Sequence, residues 1–375
     1  MIYLDNAATT LLKPPQVYSR SEEVFKNFSA NAGRSSHLAS LKAAEIIYSS
    51  RATIADFLNI EKAENVIFTF GCTDALNMVI NGLFKQGDHI ITTVYEHNSV
   101  LRPLENLKKT RNIDYSVINP DKDGYITRES IESNINKKTK AIIVNYVSNV
   151  TGIKQDMHMI ASIKNKHNLL LIVDGAQAVG IQKLDFDYDY ICCAGHKGLY
   201  GPQGIGILGI RNPHIIPTPL RFGGTGTMTF DLEQPKDLPE YLESGTLSVQ
   251  NIATLEQGVK FVKENQNEIT SHEITLAQAL INELNKIKNI VIYSPQNAQS
   301  GVVAFNILDI DSVAVSDILD KKYGICCRGG FHCAPLLHKY IKTENQGAVR
   351  ISVSIFNTME EILYLLKSVK EIADK

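Results

Sequence analysis

Tyr190-Ile191-Cys192-Cys193-Ala194-Gly195-His196-Lys197-Gly198 is an uncharged apolar run that breaks into glycine, histidine and lysine. A run this short, bounded by a glycine turn, reads as a buried strand. Runs of the same kind stand at 66–70, 89–93, 141–147, 169–173 and 205–210, with helical patterns between several of them. That alternation predicts an α/β fold with a mostly parallel central sheet flanked by helices. Parallel sheets gather ligands at the carboxyl ends of their strands, so the polar residues just past each run are the first candidates for chemistry.

Outward from this core, the pattern from 251 to 289 is helical and charged on one face, and it leads into a second, smaller strand-and-helix region. The expected division is a large domain over 14–255 and a smaller α+β domain made of 1–13 and 256–375. A chain of 375 residues, 44% hydrophobic and 21% charged, is long enough for two such cores. Its net charge of −2 and dispersed Lys and Arg leave no basic face for nucleic acid. The start, Met1-Ile2-Tyr3-Leu4-Asp5, lacks the pattern of a signal peptide, and no apolar run reaches membrane-spanning length. Six cysteines, four of them in the pairs Cys192-Cys193 and Cys326-Cys327, do not resemble a disulfide framework. A cytoplasmic protein with reduced thiols is the expectation, with neither nucleic acid nor membrane as partner.

Three strand ends carry chemistry. After 66–70 comes Gly71-Cys72-Thr73 at the start of a helical pattern, which offers free amides and a positive dipole end to an anion; Thr73 is also simply a good helix cap. After 169–173 comes Asp174-Gly175-Ala176-Gln177, a carboxylate suited to a metal, a ribose hydroxyl, a protonated ring nitrogen or an ordinary turn. After 190–194 comes Lys197. A phosphate cup, an acid for a pyridinium nitrogen and an amine able to form a Schiff base are the three handles of pyridoxal 5'-phosphate (PLP).

With these motifs the sequence resembles the class V, fold type I PLP-dependent enzymes, and within them the SUF-type cysteine desulfurases and selenocysteine lyases. The resemblance runs over essentially the whole chain. It rests on residues 3–10 (Tyr-Leu-Asp-Asn-Ala-Ala-Thr-Thr), Glu96-His97-Asn98, residues 147–152, Asp174–Gln177, Gly195-His196-Lys197, Glu243-Ser244-Gly245-Thr246 and residues 328–335. It implies that Lys197 holds the cofactor and moves the substrate proton. Asp174 pairs with the ring nitrogen and His97 stacks on the ring. Gln177 and Asn149 contact the phenolic oxygen or hold the ring. Thr73, His196 and the amides of Cys72 and Thr73 bind phosphate, and Thr246 is lent by a neighbouring subunit in a homodimer with shared active sites.

Near the C-terminus, Arg328-Gly329-Gly330-Phe331-His332-Cys333-Ala334-Pro335 places a cysteine between basic residues in a glycine-rich stretch, surroundings suited to a nucleophile. The resemblance makes Cys333 the acceptor of sulfur from L-cysteine, leaving alanine and a persulfide for an acceptor protein, in the service of iron–sulfur cluster assembly or another sulfur acceptor. Arg350, in the strand-like Ala348-Val349-Arg350-Ile351-Ser352, becomes the carboxylate clamp, with Arg328, Arg34 and Asn149 also near the substrate. An internal salt bridge is the other reading of Arg350. Adjacent cysteines seldom ligate one zinc, so no metal is expected at Cys326, Cys327, His332 and Cys333.

Four features depart from the family pattern: Phe331 where a second histidine is usual, a residue fewer between Ala334 and Pro335, Gly33 where a histidine is common, and Ala194 in place of a serine. The chain also starts close to the Leu4-Asp5-Asn6 motif, without the extension usual in SUF-type enzymes. The competing functions are selenocysteine lyase, another class V lyase, epimerase or transaminase, and a non-catalytic sulfur- or metal-binding scaffold on the same fold.

Overall fold

The computed structural model describes residues 1–32, 37–228 and 230–374. The chain opens with β1 (Ile2–Tyr3). Its main sheet follows: β2 (Val66–Thr69), β3 (His89–Thr93), β4 (Asp114–Ile118), β5 (Thr139–Asn145), β6 (Leu170–Asp174), β7 (Tyr190–Ala194) and β8 (Gly206–Ile210). The spatial order is β2-β8-β7-β6-β5-β3-β4. Only β8 runs against the others, pairing antiparallel with β2 and β7. Strands β2, β3, β7 and β8 are buried along their whole length, as strands covered by helices on both faces must be. Two apolar clusters fill the space on the faces, one around Val144, Val173 and Ile191, the other around Leu76, Ile90 and Ile172.

Beyond the sheet a 36-residue helix, Val249–Leu284, begins against the helices Pro15–Asn27 and Leu38–Phe57 and ends against a second sheet. At 1.5 Å per residue it is about 54 Å long, enough to serve both regions. The second sheet joins β9 (Ile290–Ile292), β10 (Val302–Ile307) and β12 (Val349–Ser352) antiparallel, and β11 (Ile325–Cys326) pairs in parallel with β1. Leu4, Leu280, Phe305, Ile351 and Leu365 share its apolar cluster. The first residues of the chain are thus built into the part of the fold formed by its end.

Two glycines are required where the strands turn into loops. A Cβ on Gly206 would lie 2.4 Å from the Gly71 carbonyl carbon, and one on Gly180 (φ +102°) would lie 2.1 Å from the Gly198 oxygen. Both close approaches set the turns that carry Thr73 and Lys197.

Candidate active site

The carboxyl ends of β2, β5, β6 and β7 open on one cavity of about 470 Å³, lined by Gly71, Cys72, Thr73, His97, Ser99, Asn145, Asn149, Asp174, Gln177, His196 and Lys197. At its floor the helix Cys72–Leu83 starts at Gly71 with no side-chain cap, so its first amides are left for an anion. Thr73 Oγ1 lies 2.7 Å from Ser99 Oγ, which lies 2.8 Å from His97 Nδ1, and the Ser99 amide donates to the same nitrogen over 3.0 Å. With Nδ1 an acceptor, the His97 proton sits on Nε2. Burial lowers the His97 pKa, with Asp174 opposing. Ser99 was not singled out from sequence; its signal is its place two residues past His97, which caps the helix Asn98–Arg111.

Asp174 is the last residue of β6, not the first past it. Its Oδ1 accepts the Ala176 amide at 3.0 Å, and the Cys72 thiol stands 3.5 Å from the same oxygen. Cys72 therefore meets the site with its side chain as well as its amide. Burial, then Asp174, pushes that thiol well above the ordinary range, so it stays protonated. Lys197 follows β7 across a short turn. Burial draws its amine below the ordinary lysine range; Cys72 and Asp174 oppose this, and Arg350 and Arg328 reinforce it. His196 is pushed down to about 4 by burial, then by Lys197 and Lys13, and is neutral.

The amide of Gln177 donates to Ala7 O over 2.8 Å, and the amide of Asn149 donates to His332 O over 2.8 Å. Each lines the cavity and spends one of its two amide hydrogens on that bond; Asn149 Oδ1 is buried and has no partner among the described residues. Asn149 thereby joins the cavity to the cysteine loop.

In that loop His332 and Cys333 stand one after the other in the left-handed region, at φ +47° and +57°. Non-glycine residues are held there only by their surroundings. The Asn98 amide donates to Cys333 O over 2.8 Å, and Ala334 N to Phe331 O over 2.9 Å. Cys333 is exposed. His332 does not flank the thiol as the sequence suggests: its ring is buried, Nε2 donates to Ala348 O over 2.9 Å, and burial drives its pKa down to about 2. The ring of Phe331 packs edge-on against His338 at 5.5 Å.

Arg350 is 1% exposed. Its Nη1 donates to Asn149 O over 3.0 Å and its Nη2 to Asp5 Oδ1 over 2.6 Å. The internal salt bridge is thus present, and Asp5 had been read only as part of a motif. Arg328 is exposed and pairs through its backbone with Arg350. Thr246 is exposed and lines a separate pocket with Phe70, Arg221 and Ser244. Arg34 lies outside the described residues. The Cys326 thiol stands 3.6 Å from Asp320 Oδ1, and among the described residues no three His, Cys, Asp or Glu side chains are placed to hold a metal ion. Nor is any described helix long and apolar enough to cross a membrane.

An uncapped helix N-terminus, a carboxylate and a buried amine around one cavity, with Asn149 Oδ1 and His196 Nδ1 buried and unpartnered, fit PLP in charge and in size. The sequence model of the family described as Aminotransferase class-V matches residues 2–365. The chain belongs to this PLP-dependent family. Within it, the chain is similar to probable cysteine desulfurases of Halalkalibacterium halodurans (32% identity over 99% of this chain and 93% of that one) and of Methanothermobacter thermautotrophicus (32% over 99% and 94%). Among solved structures, a cysteine desulfurase of Thermococcus onnurineus superposes with a TM-score of 0.92 at 30% identity, covering 100% of this chain and 94% of that one. The S-sulfonic acid form of a cysteine desulfurase from Escherichia coli reaches 0.88 at 25%, covering 99% and 94%.

Proposed function

We propose that the chain is a PLP-dependent cysteine desulfurase that converts L-cysteine to L-alanine and takes the sulfur on Cys333. The observation that carries this reading is the connection of two parts: a cavity with Lys197, Asp174, His97 and Thr73 on its wall, and an exposed Cys333 tied to it through Asn98 and Asn149.

When bound, PLP draws electrons from the substrate α-carbon and so weakens the bonds around it. The residues of the chain supply the rest. Thr73 and the open amides after Gly71 receive the phosphate, with His196 beside them. Asp174 would offer its carboxylate to the ring nitrogen, and His97 would pack against the ring. Lys197 would hold the cofactor, and its amine, drawn below the ordinary lysine range by burial, could take up or give back the substrate α-proton. Arg350 holds the α-carboxylate. The Cys333 sulfur attacks the substrate sulfur: an S–S bond forms, the C–S bond breaks, and cysteine plus enzyme thiol become alanine plus enzyme persulfide. His332, neutral and turned to Ala348, takes no proton from Cys333.

We also infer a homodimer in which exposed Thr246 serves the neighbouring copy, an acceptor protein that collects the persulfide sulfur, and action in the cytoplasm. The division into 14–255 and 1–13 with 256–375 is supported by Leu4 sharing the apolar cluster of the second sheet.

Release of alanine from L-cysteine, with and without Cys333→Ala, tests the function. The parent forms alanine and the variant loses at least about 100-fold, the size of a removed chemical group. Undiminished alanine from the variant would leave a lyase reaction that needs no thiol.

A further inference from the structure

Arg350 and Asp5 form a pair whose two members differ in access. The arginine side chain is 2% exposed and the aspartate 21%, so what contact the pair has with solvent belongs to Asp5. The 2.6 Å bond between Nη2 and Oδ1 is of the short charge-assisted kind. Arg350 Nη1 is engaged by the Asn149 carbonyl, while Nε is buried and unpartnered among the described residues. A buried guanidinium without a counter-charge is costly, so an anion must stay on Arg350 whether or not a ligand is present.

Asp5 is held in place by its backbone. Ser352 N donates to Leu4 O over 2.8 Å, Asn6 N to Ser352 O over 3.3 Å, and Ala7 N to Ser352 Oγ over 2.8 Å. These bonds set Asp5 opposite Ser352, two residues along β12 from Arg350. The main chain is fixed on both sides of Asp5, and the side chain alone is left to turn.

We propose that the Asp5 carboxylate is a tethered stand-in for the substrate carboxylate, seated on Arg350 in the free protein and displaced when an amino acid binds. The inference rests on the reading of Arg350 as the substrate clamp. The exchange replaces one carboxylate by another, so Arg350 is never buried unpaired, and Nε is a spare donor for the newcomer. A ligand without a carboxylate cannot make the exchange, which makes Asp5 a determinant of specificity for amino acids over simple amines.

The test compares Asp5→Asn and the parent holoenzyme with L-cysteine as substrate and with cysteamine, the same thiol and amine without the carboxylate, as a competitor whose inhibition constant gives its response. Removing a seat-holder that leaves about one tenth of the sites free lowers KM about tenfold. The expected result is therefore a KM for cysteine about tenfold lower, with the response to cysteamine unchanged. An unchanged or raised KM for cysteine, or an equal shift for both compounds, overturns the proposal and leaves Asp5 as a structural partner. Should Asp5→Asn not fold, Asp5→Ser is read the same way. Arg350→Gln separates the two levels: if it leaves the KM for cysteine unchanged, the clamp reading itself fails, whatever Asp5 does.

Discussion

Lys197 lines the cavity and Cys333 stands exposed on the neighbouring loop, so their substitutions should differ in kind. Lys197→Ala should remove the covalent hold on the cofactor, so that the visible absorbance of the lysine-bound form is lost, and lower alanine formation by at least about 100-fold. An unchanged spectrum would contradict the assignment. Asn149→Ala, in contrast, should keep the lysine-bound absorbance, shifted but not lost, and slow sulfur transfer, because it also loses the bond to His332 O that ties the cavity to the cysteine loop. Sulfur transfer at the parent's rate would contradict that second role. The sequence motif names Asn149 but not which partner its amide chooses; that choice depends on a residue 183 positions away. Arg350 and Asp5, 345 positions apart, were unreadable as a pair for the same reason.

At the level of elements, β3 and β7 have the bounds read from their apolar runs, and β2 and β8 differ from theirs by one residue. The direction of β8 was not legible, since a five-residue apolar run has no sense of direction. β4 escaped notice because it lies at the sheet edge, mostly half-buried, and mixes Asp114 and Ser116 with apolar residues. Glu243, first seen as part of a site motif, is a structural anchor: it grips Arg51 through two 2.8 Å bonds and accepts the Phe68 amide at 2.6 Å, all buried. Glu243→Gln should therefore cost about 3–5 kcal/mol, read as a lower urea midpoint, since it leaves the Arg51 charge unpaired. A midpoint equal to the parent's would show that the pair is not holding the segment before Thr246.

Over the whole molecule, the pH dependence of stability should reflect buried carboxyls far from the surface. Burial pushes Glu96 and Glu273 up to about 8 each. Between the ordinary glutamate value near 4.3 and that level, the folded chain binds more protons than the unfolded one. Their contribution is thus full at acid pH and is lost as pH rises, by up to about 1.4 kcal/mol per pH unit for each group. Glu273→Gln should flatten the fall in unfolding free energy between pH 5.5 and 8, and an unaltered slope would contradict this. The joining of the first residues to the last strands, which brings Asp5 to Arg350, also belongs to this scale and follows from β1 pairing with β11. The assembled site is expected to move sulfur to one thiol, that of Cys333. Whole-protein mass spectrometry of the holoenzyme after brief exposure to L-cysteine, with peptide mapping, reads this directly. The expected result is a gain of one sulfur atom, located on Cys333 and absent in Cys333→Ala. Alanine formed with no added sulfur, or sulfur found on another cysteine, would contradict it.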